Sequence, residues 1–347
     1  MNSFSQASAK LTSRVLHSAS EFHLISTEWT ELFRRCPEAT PFQHPQWLIS
    51  WMNAFAPREL VGIEIRVGTH LIGFAPLLIY PRDQERVLAF AGGGISDYLG
   101  LLAESGREPE VIDEVLRAAQ TIAGWSVLDL TDVAVGSNIL KYPPFGNLIR
   151  EHDVCYALTL PETQDQVLHA CSTHQRANLR NARSRTRREG GARIELATSD
   201  NLPEFLDDLF RLHALRWSGL GEPGVLSDER VQQFHRAVAP HLLSAGILRL
   251  YRMRVEGRTI AVLYSLFHRE TVFCYLQGFD PEFARLSPGT QLTFAVMQDA
   301  VTLGMRRFDF LRGEEGYKLH WRPQGECTYR VEVPRSHLTA RLLRPAA

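Results

Sequence analysis

Thirteen residues from Arg176 to Arg188 hold six arginines, Arg176, Arg180, Arg183, Arg185, Arg187 and Arg188, and no acidic residue. Helical spacing places Arg176, Arg180, Arg183 and Arg187 along one side. A solvated basic face is the ordinary fate of such a run. Here the rest of the chain is charge-balanced and no glutamate is interleaved among these arginines to pair with them, which favours an anion-facing role. RNA is one such anion, but no aromatic residue interleaves the arginines to give bases a stacking platform.

Other motifs that carry chemistry fail on context. Gly219-Leu-Gly-Glu-Pro-Gly-Val225 and Gly92-Gly-Gly94 neither follow a strand nor open a helix, so neither is a dinucleotide-binding turn. The first reads as a flexible loop able to close over a substrate. No Gly-x-Ser-x-Gly elbow is present for a nucleophilic serine. The five cysteines, Cys36, Cys155, Cys171, Cys274 and Cys327, are scattered without Cys-x-x-Cys spacing. They read as buried free thiols, and no metal is expected. His213 on its own reads as a structural histidine.

With 347 residues, 44% of them hydrophobic and 22% charged, the chain is globular and long enough for two domains. A net charge of -1 gives no general attraction to DNA, RNA or an anionic membrane, so a polyanion site would be local. Met1 to Lys10 is polar and lacks a signal-peptide core, and no apolar run approaches the ~20 residues of a membrane helix. A cytoplasmic protein with no DNA partner and no membrane insertion is expected.

The elements that would position any chemistry are clearest between Gly246 and Trp321. Gly246–Arg254, Thr259–Phe267 and Thr271–Gly278 are β-branched and aromatic runs joined by tight turns at Glu256-Gly257 and Arg269-Glu270, an antiparallel meander. Leu292, Ala295, Val296, Ala300 and Leu303 then recur at helical spacing, Gly304 ends the helix, and Arg306–Leu311 is another strand. The first half runs in the same order. Strands over Val61–Val67, Leu71–Tyr80, Val87–Ala91 and Tyr98–Leu102 lead to a helix over Glu108–Ala123, then to Trp125–Leu130. Ser126-Val-Leu-Asp129-Leu mirrors Arg307-Phe-Asp309-Phe-Leu, which argues an internal duplication.

The expected fold is α+β with a mixed sheet, in two meander domains with flanking helices. Residues 1–20 are expected as a disordered arm, 21–160 as the N-terminal domain, 161–335 as the C-terminal domain and 336–347 as a tail. Glu21–Ile25 reads as a first strand, Thr27–Arg35 as a short helix, Trp47, Trp51 and Phe55 as a core stripe, and Leu202–Trp217 as an amphipathic helix.

Meander, glycine-containing loop, helix and strand is the order of the GNAT acyltransferase core. With Ser287-Pro-Gly-Thr290, Arg307-Phe-Asp-Phe-Leu-Arg-Gly313 and Tyr317-Lys-Leu-His-Trp321, the chain resembles the GNAT subgroup associated with cellulose and exopolysaccharide biosynthesis, which is similar to the Fem peptidoglycan aminoacyltransferases. The resemblance implies tandem GNAT-like domains and N-acyl transfer. The donor would be acetyl-CoA or another acyl-CoA, and the acceptor an amine of a sugar, nucleotide-sugar or peptide-like glycan precursor. Amides at the helix start, Ser287, Gly289, Thr290 and Gln291, with Arg285, would hold the pyrophosphate. The family's Gln/Arg-x-x-Gly-x-Gly/Ala motif is degraded, since Pro288 intrudes and Arg285 is one residue out of place.

The same resemblance puts the thioester carbonyl on the backbone near Tyr275, Leu276 and Gln277. Tyr317 would protonate the leaving thiolate and Asp309 or Glu314 would take the amine proton; Asp129, matching Asp309 in the first copy, argues that Asp309 is structural. Lys318 and Trp321 resemble the Phe-Lys segment by which Fem proteins hold an anionic acceptor. Trp217 matches the subgroup's His…Arg-Trp wording, and Arg176, Arg180 and Arg183 would face the substrate. The first copy enters its helix through the acidic Glu104-Ser-Gly-Arg-Glu-Pro-Glu110 and is expected to be non-catalytic. Two alternatives stand: a Fem-like transfer from aminoacyl-tRNA, the only reading with tRNA as partner, and a degenerate GNAT pair acting as an interaction module.

Overall fold

The computed structural model describes residues 10–219 and 221–342, with side chains as far as Leu338. In chain order the elements are β1 (Leu11–Leu16), α1 (Ala19–Leu24), α2 (Ser26–Arg35), α3 (Pro45–Phe55), β2 (Leu60–Val67), β3 (His70–Arg82), β4 (Glu85–Phe90), β5 (Leu102–Ala103), α4 (Glu108–Thr121) and β6 (Val127–Val133). There follow β7 (Ile149–Thr159), α5 (Gln164–Ala170), α6 (Thr173–Arg188), β8 (Arg193–Leu196), α7 (Leu202–Ser218), α8 (Glu229–Ser244), β9 (Leu248–Val255), β10 (Arg258–His268), β11 (Thr271–Phe279), α9 (Pro288–Thr302), β12 (Arg307–Arg312), α10 (Gly316–Leu319), β13 (Gln324–Pro334) and α11 (Arg335–Leu342). The chain divides into two compact units, one up to Asp153 together with the segment from Cys327 onward, the other Val154–Glu326. The expected boundaries were 160 and 335; β7 and β13, the latter not anticipated from the sequence, straddle the observed ones.

The first unit orders its strands β1-β2-β3-β4-β6-β13, all antiparallel except β4 with β6. Amphipathic α4 buries Val111, Val115 and Ala119 against this sheet. Three expectations are corrected here. Residues 11–16 of the supposed arm form β1, whereas the part of that expectation on residues 1–9 lies outside the described residues. Glu21–Ile25 is helical through Leu24, because the Ser18 hydroxyl accepts the Glu21 amide while the Glu21 carboxylate accepts the His17 amide at 2.8 Å. The supposed tail begins in α11, which buries Leu338; its residues 343–347 lie outside the described residues.

The second unit orders its strands β8-β9-β10-β11-β12-β7, all antiparallel except β11 with β12. Its core gathers Leu263, Val272, Leu292, Val296, Phe308 and Trp321. The helix α9 begins after Ser287, a non-glycine residue held in the left-handed region at φ 48°. The close approach of α7 to β11 is set at Gly278, where a Cβ would come within 2.4 Å of the His213 amide nitrogen.

Candidate active site

The second unit's cleft follows from two departures from regular pairing. Tyr264 pairs with Leu276 and Ser265 with Cys274, so Tyr275 is the extra residue of a β-bulge. The parallel ladder between β11 and β12 covers only Thr271–Phe273 with Arg307–Asp309. Beyond it β11 continues to Phe279 without β12 beside it. Leu311 (φ 61°), in the last residues of β12, and Gly313 (φ 106°), just past it, turn the chain out of line at the end of the strand. The opening is a cavity of about 230 Å³ lined by Arg216, Gln277, Phe279, Tyr317 and the first turn of α9 from Ser287 to Thr290.

Each group around this cleft has a definite environment. The amides of Gly289 and Thr290 head a fifteen-residue helix with no capping side chain, an arrangement suited to an anion. Gly289 has no positive φ, and a Cβ there would lie 3.8 Å from Phe279, an ordinary contact, so the strained residue of this turn is Ser287. Burial drives the Tyr317 hydroxyl well above its ordinary pKa, reinforced by Cys274 and Glu315 and opposed by Arg216. The Arg216 guanidinium lies 5.5 Å from the centre of the Tyr317 ring and 5.9 Å from those of Trp217 and Phe279.

Of the expected site residues, Gln277, Ser287, Gly289, Thr290 and Tyr317 line this cavity, while half-buried Tyr275 and Leu276 precede Gln277 on β11. Five expectations are corrected by placement. Arg285 is ion-paired with Glu189 at 2.8 Å. The Gln291 backbone amide donates to the Ser287 carbonyl at 3.0 Å and is not free for an anion, while its side-chain amide goes to Thr186 and the Leu286 carbonyl. Trp321 is a core residue, 3% exposed. Lys318, 2% exposed, directs its ammonium to the carbonyls of Leu311, Arg312 and Gly313 and to Glu315, using its donors to hold the turn after β12. Buried Asp309 accepts the Leu311 amide at 2.8 Å and so stabilises that left-handed residue. Glu314 is exposed, and Trp217 is half-buried with its ring 5.8 Å from that of His213. Arg176 bonds the His169 carbonyl and Thr173; Arg180 is exposed; Arg183 lies over Phe294.

Neither Arg216 nor Gly278 carries a local sequence pattern that marks it for this site. His213, His235, Tyr264 and Tyr275 come from four elements, with ring centroids 5.4–5.8 Å apart among the last three. Among the described residues, His213 Nδ1 and the Tyr264 hydroxyl have no hydrogen-bond partner. Burial, then Arg216, lowers the His213 pKa to about 4; burial, then His213, lowers His235 to about 3. Both imidazoles are therefore neutral near pH 7.

A larger cavity, about 570 Å³, lies between the start of α7 and α8, walled by Leu202, Leu206, Pro240 and Leu243; its one ionic group, Arg236, is paired with Asp207. It lacks a group to move a proton. In the first unit Asp132, His152 and Asp153 bring ligand-type atoms within 4.8 Å of one another, a grouping accounted for by the 3.7 Å contact between His152 and Asp132. No helix among the described residues is long and apolar enough to cross a membrane.

A meander, a helix presenting its first-turn amides, and a parallel strand that parts from its neighbour define the GNAT acyltransferase fold. Residues 173–319 match the family profile described as acetyltransferase (GNAT) domain. No curated protein matches the sequence. Among solved structures the chain is similar to FemX, with 12% identity, a TM-score of 0.67 and coverage of 95% of this chain and 100% of that one. A conserved protein of unknown function from Bacteroides thetaiotaomicron has 11% identity, a TM-score of 0.59 and coverage of 92% and 99%. The C-terminal domain of a protein assigned as a lysylphosphatidylglycerol synthetase, from Agrobacterium fabrum, has 13% identity, a TM-score of 0.57 and coverage of 93% and 95%. At these identities the likeness is one of fold.

Proposed function

We propose that the second unit is an N-acyltransferase, moving an acetyl group from acetyl-CoA to an amine of a sugar, nucleotide-sugar or peptide-like acceptor of envelope or exopolysaccharide metabolism. One observation carries this reading: the first-turn amides of α9, β11 beyond its pairing with β12, and Tyr317 line one cavity. Bound acyl-CoA would supply the activated acyl group. The amides of Gly289 and Thr290 would hold its pyrophosphate, and the β11 backbone near the bulge would donate to the thioester carbonyl. Tyr317 holds a proton for the leaving sulfur, and Arg216 stabilises the phenolate that remains. Exposed Glu314 takes the proton lost by the amine, since Asp309 is committed to Leu311.

The arginines of α6 favour a second reading, Fem-like transfer from aminoacyl-tRNA. Calorimetry separates the two. Micromolar binding of acetyl-CoA is expected; binding of tRNA alone would replace the first reading with the second, and binding of neither would leave an interaction module.

A further inference from the structure

The charge of α6 is compensated unlike that of other arginines in the second unit. Arg211, Arg236, Arg252 and Arg258 each have a carboxylate within 4 Å. Among the described residues, none of the six arginines on α6 has one, and Glu189, which caps the helix, is taken by Arg285. Helix geometry explains the alignment. Gln175, Leu179, Ala182 and Thr186 form the buried seam, and Arg176, Arg180, Arg183 and Arg187 each follow it by one residue, flanking that seam.

The stripe ends in a concavity. Gly190 (φ 81°) and Gly191 (φ 85°) fold the chain back, with the Gly191 amide on the Thr186 carbonyl at 2.9 Å, so that Ile194 closes one side. Thr186 is fixed by the Gln291 amide at 2.9 Å, and the Arg183 guanidinium lies 5.6 Å from the centre of the Phe294 ring. The resulting cavity, about 310 Å³, sets Arg183, Arg187 and Gln298 against an apolar wall that includes Phe294 and Met253. It shares no lining residue with the acyl-transfer cleft.

We propose that this cavity is a second ligand site, for a small phosphate monoester whose phosphoryl group is held by the guanidinium groups of Arg183 and Arg187 and whose organic body packs on Phe294 and Met253. Paired guanidinium forks match phosphate oxygens, and an apolar wall beside them suits a compact ester better than an extended backbone. The site stands whether or not the neighbouring cleft binds acyl-CoA.

Phenyl phosphate is a suitable probe, titrated by calorimetry into the full chain. The wild type is expected to bind one equivalent, and Arg183→Gln with Arg187→Gln to bind at least ~10-fold more weakly while its acetyl-CoA titration stays unchanged. Arg183→Lys with Arg187→Lys should fall between them, and serves alone if circular dichroism shows the glutamine variant unfolded. Equal phenyl phosphate affinity in wild type and variants overturns the proposal, as does absence of binding. A parallel loss of acetyl-CoA affinity overturns it by making the cavity an arm of the donor site. Arginine-dependent binding of a uridine oligonucleotide without phenyl phosphate binding overturns it in favour of an RNA surface. Failure of acetyl-CoA to bind the wild type would remove the acyl-transfer reading and leave the phenyl phosphate comparison intact.

Discussion

The first unit's strand order, β1-β2-β3-β4-β6-β13, and the second's, β8-β9-β10-β11-β12-β7, share one pattern, with only the fourth and fifth strands parallel. In each, a helix connects those two strands. The units differ in what happens where the parallel pair ends. In the second, β11 carries a bulge and runs on past β12, leaving a cavity. In the first, β3 and β4 pair without a bulge, and the chain after β4 returns so that Leu99 bridges Val133 in parallel, its amide on the Asp132 carbonyl at 2.9 Å. Ser96, Asp97 and Tyr98 are buried with it, held in part by Trp47 on Ser96 and Gln43 on the Tyr98 carbonyl. The helix starts differ in charge: neither has a capping side chain, but α4 opens with Glu108 and Glu110, the latter paired to Arg107, where the first turn of α9 carries no acidic residue. Two units of one topology thus differ in whether the opening beside the parallel pair is filled, and the proposed reaction cleft is the one left open.

The largest expected effect tests how the strand ends are held. Lys318→Met would strand three carbonyls and the Glu315 carboxylate, and should cost about 3 kcal/mol in urea unfolding. Asp129→Asn in the first unit breaks bonds to Arg82 and Arg330, but both arginines are about a quarter to a third exposed and regain water, so about 1 kcal/mol is expected. Equal losses would mean that Lys318 is not the clamp its contacts describe.

Next in size is the catalytic asymmetry. Tyr317→Phe removes one proton donor and should lower kcat by ~10²-fold with acetyl-CoA affinity nearly unchanged. Tyr98→Phe alters a residue that fills the first unit and should leave kcat within about twofold. The opposite pattern, in a folded protein, would move the active site to the first unit.

What could be read from the sequence were features with local signals. The second meander, α9 and the mirrored Asp129 and Asp309 appear as alternation, helical period and repeated wording, and the structure has all three. Ser18 and Glu21 have the spacing of a helix cap, a signal that outweighs the strand-like composition of Glu21–Ile25. Tyr98–Leu102 has strand composition, yet only Leu102–Ala103 is a named strand, because its neighbours plug a gap instead of extending a ladder. Lys318 and Trp321 matched a motif while their burial depended on a turn after β12 that no local pattern encodes. Arg216 and Gly278 matter through contacts with β11 and α10 or with α7, separations at which a single sequence has no periodicity to offer.

A smaller effect tests helix approach. Gly278→Ala sets a Cβ against α7 backbone, which no rotamer can relieve, and should cost roughly 2 kcal/mol. Gly73→Ala in the first unit meets side chains and no backbone, Val111 at 2.4 Å and Ile65 at 3.2 Å, and should cost less. Comparable losses in thermal unfolding would mean that α7 yields as readily as a side chain.

The smallest effect concerns pH. His213 is held neutral in the fold, its pKa lowered to about 4 by burial and then Arg216, against 6.5 when unfolded. Between these values the unfolded chain binds the extra proton, so stability rises with pH across the window and is lost as pH falls through it. From pH 7.5 to 5.5 this amounts to about 1 kcal/mol, and His235 adds in the same direction. In the first unit His17, His23, His70, His152 and His337 are exposed, and one histidine, His44, is buried with its Nδ1 accepting the Gln46 amide. Amide exchange at pH 5.5 should therefore quicken in β10, β11 and α7 relative to β2 and β3. His213→Gln should remove its share of the slope, and an unaltered slope in that variant would assign the acid sensitivity to other groups.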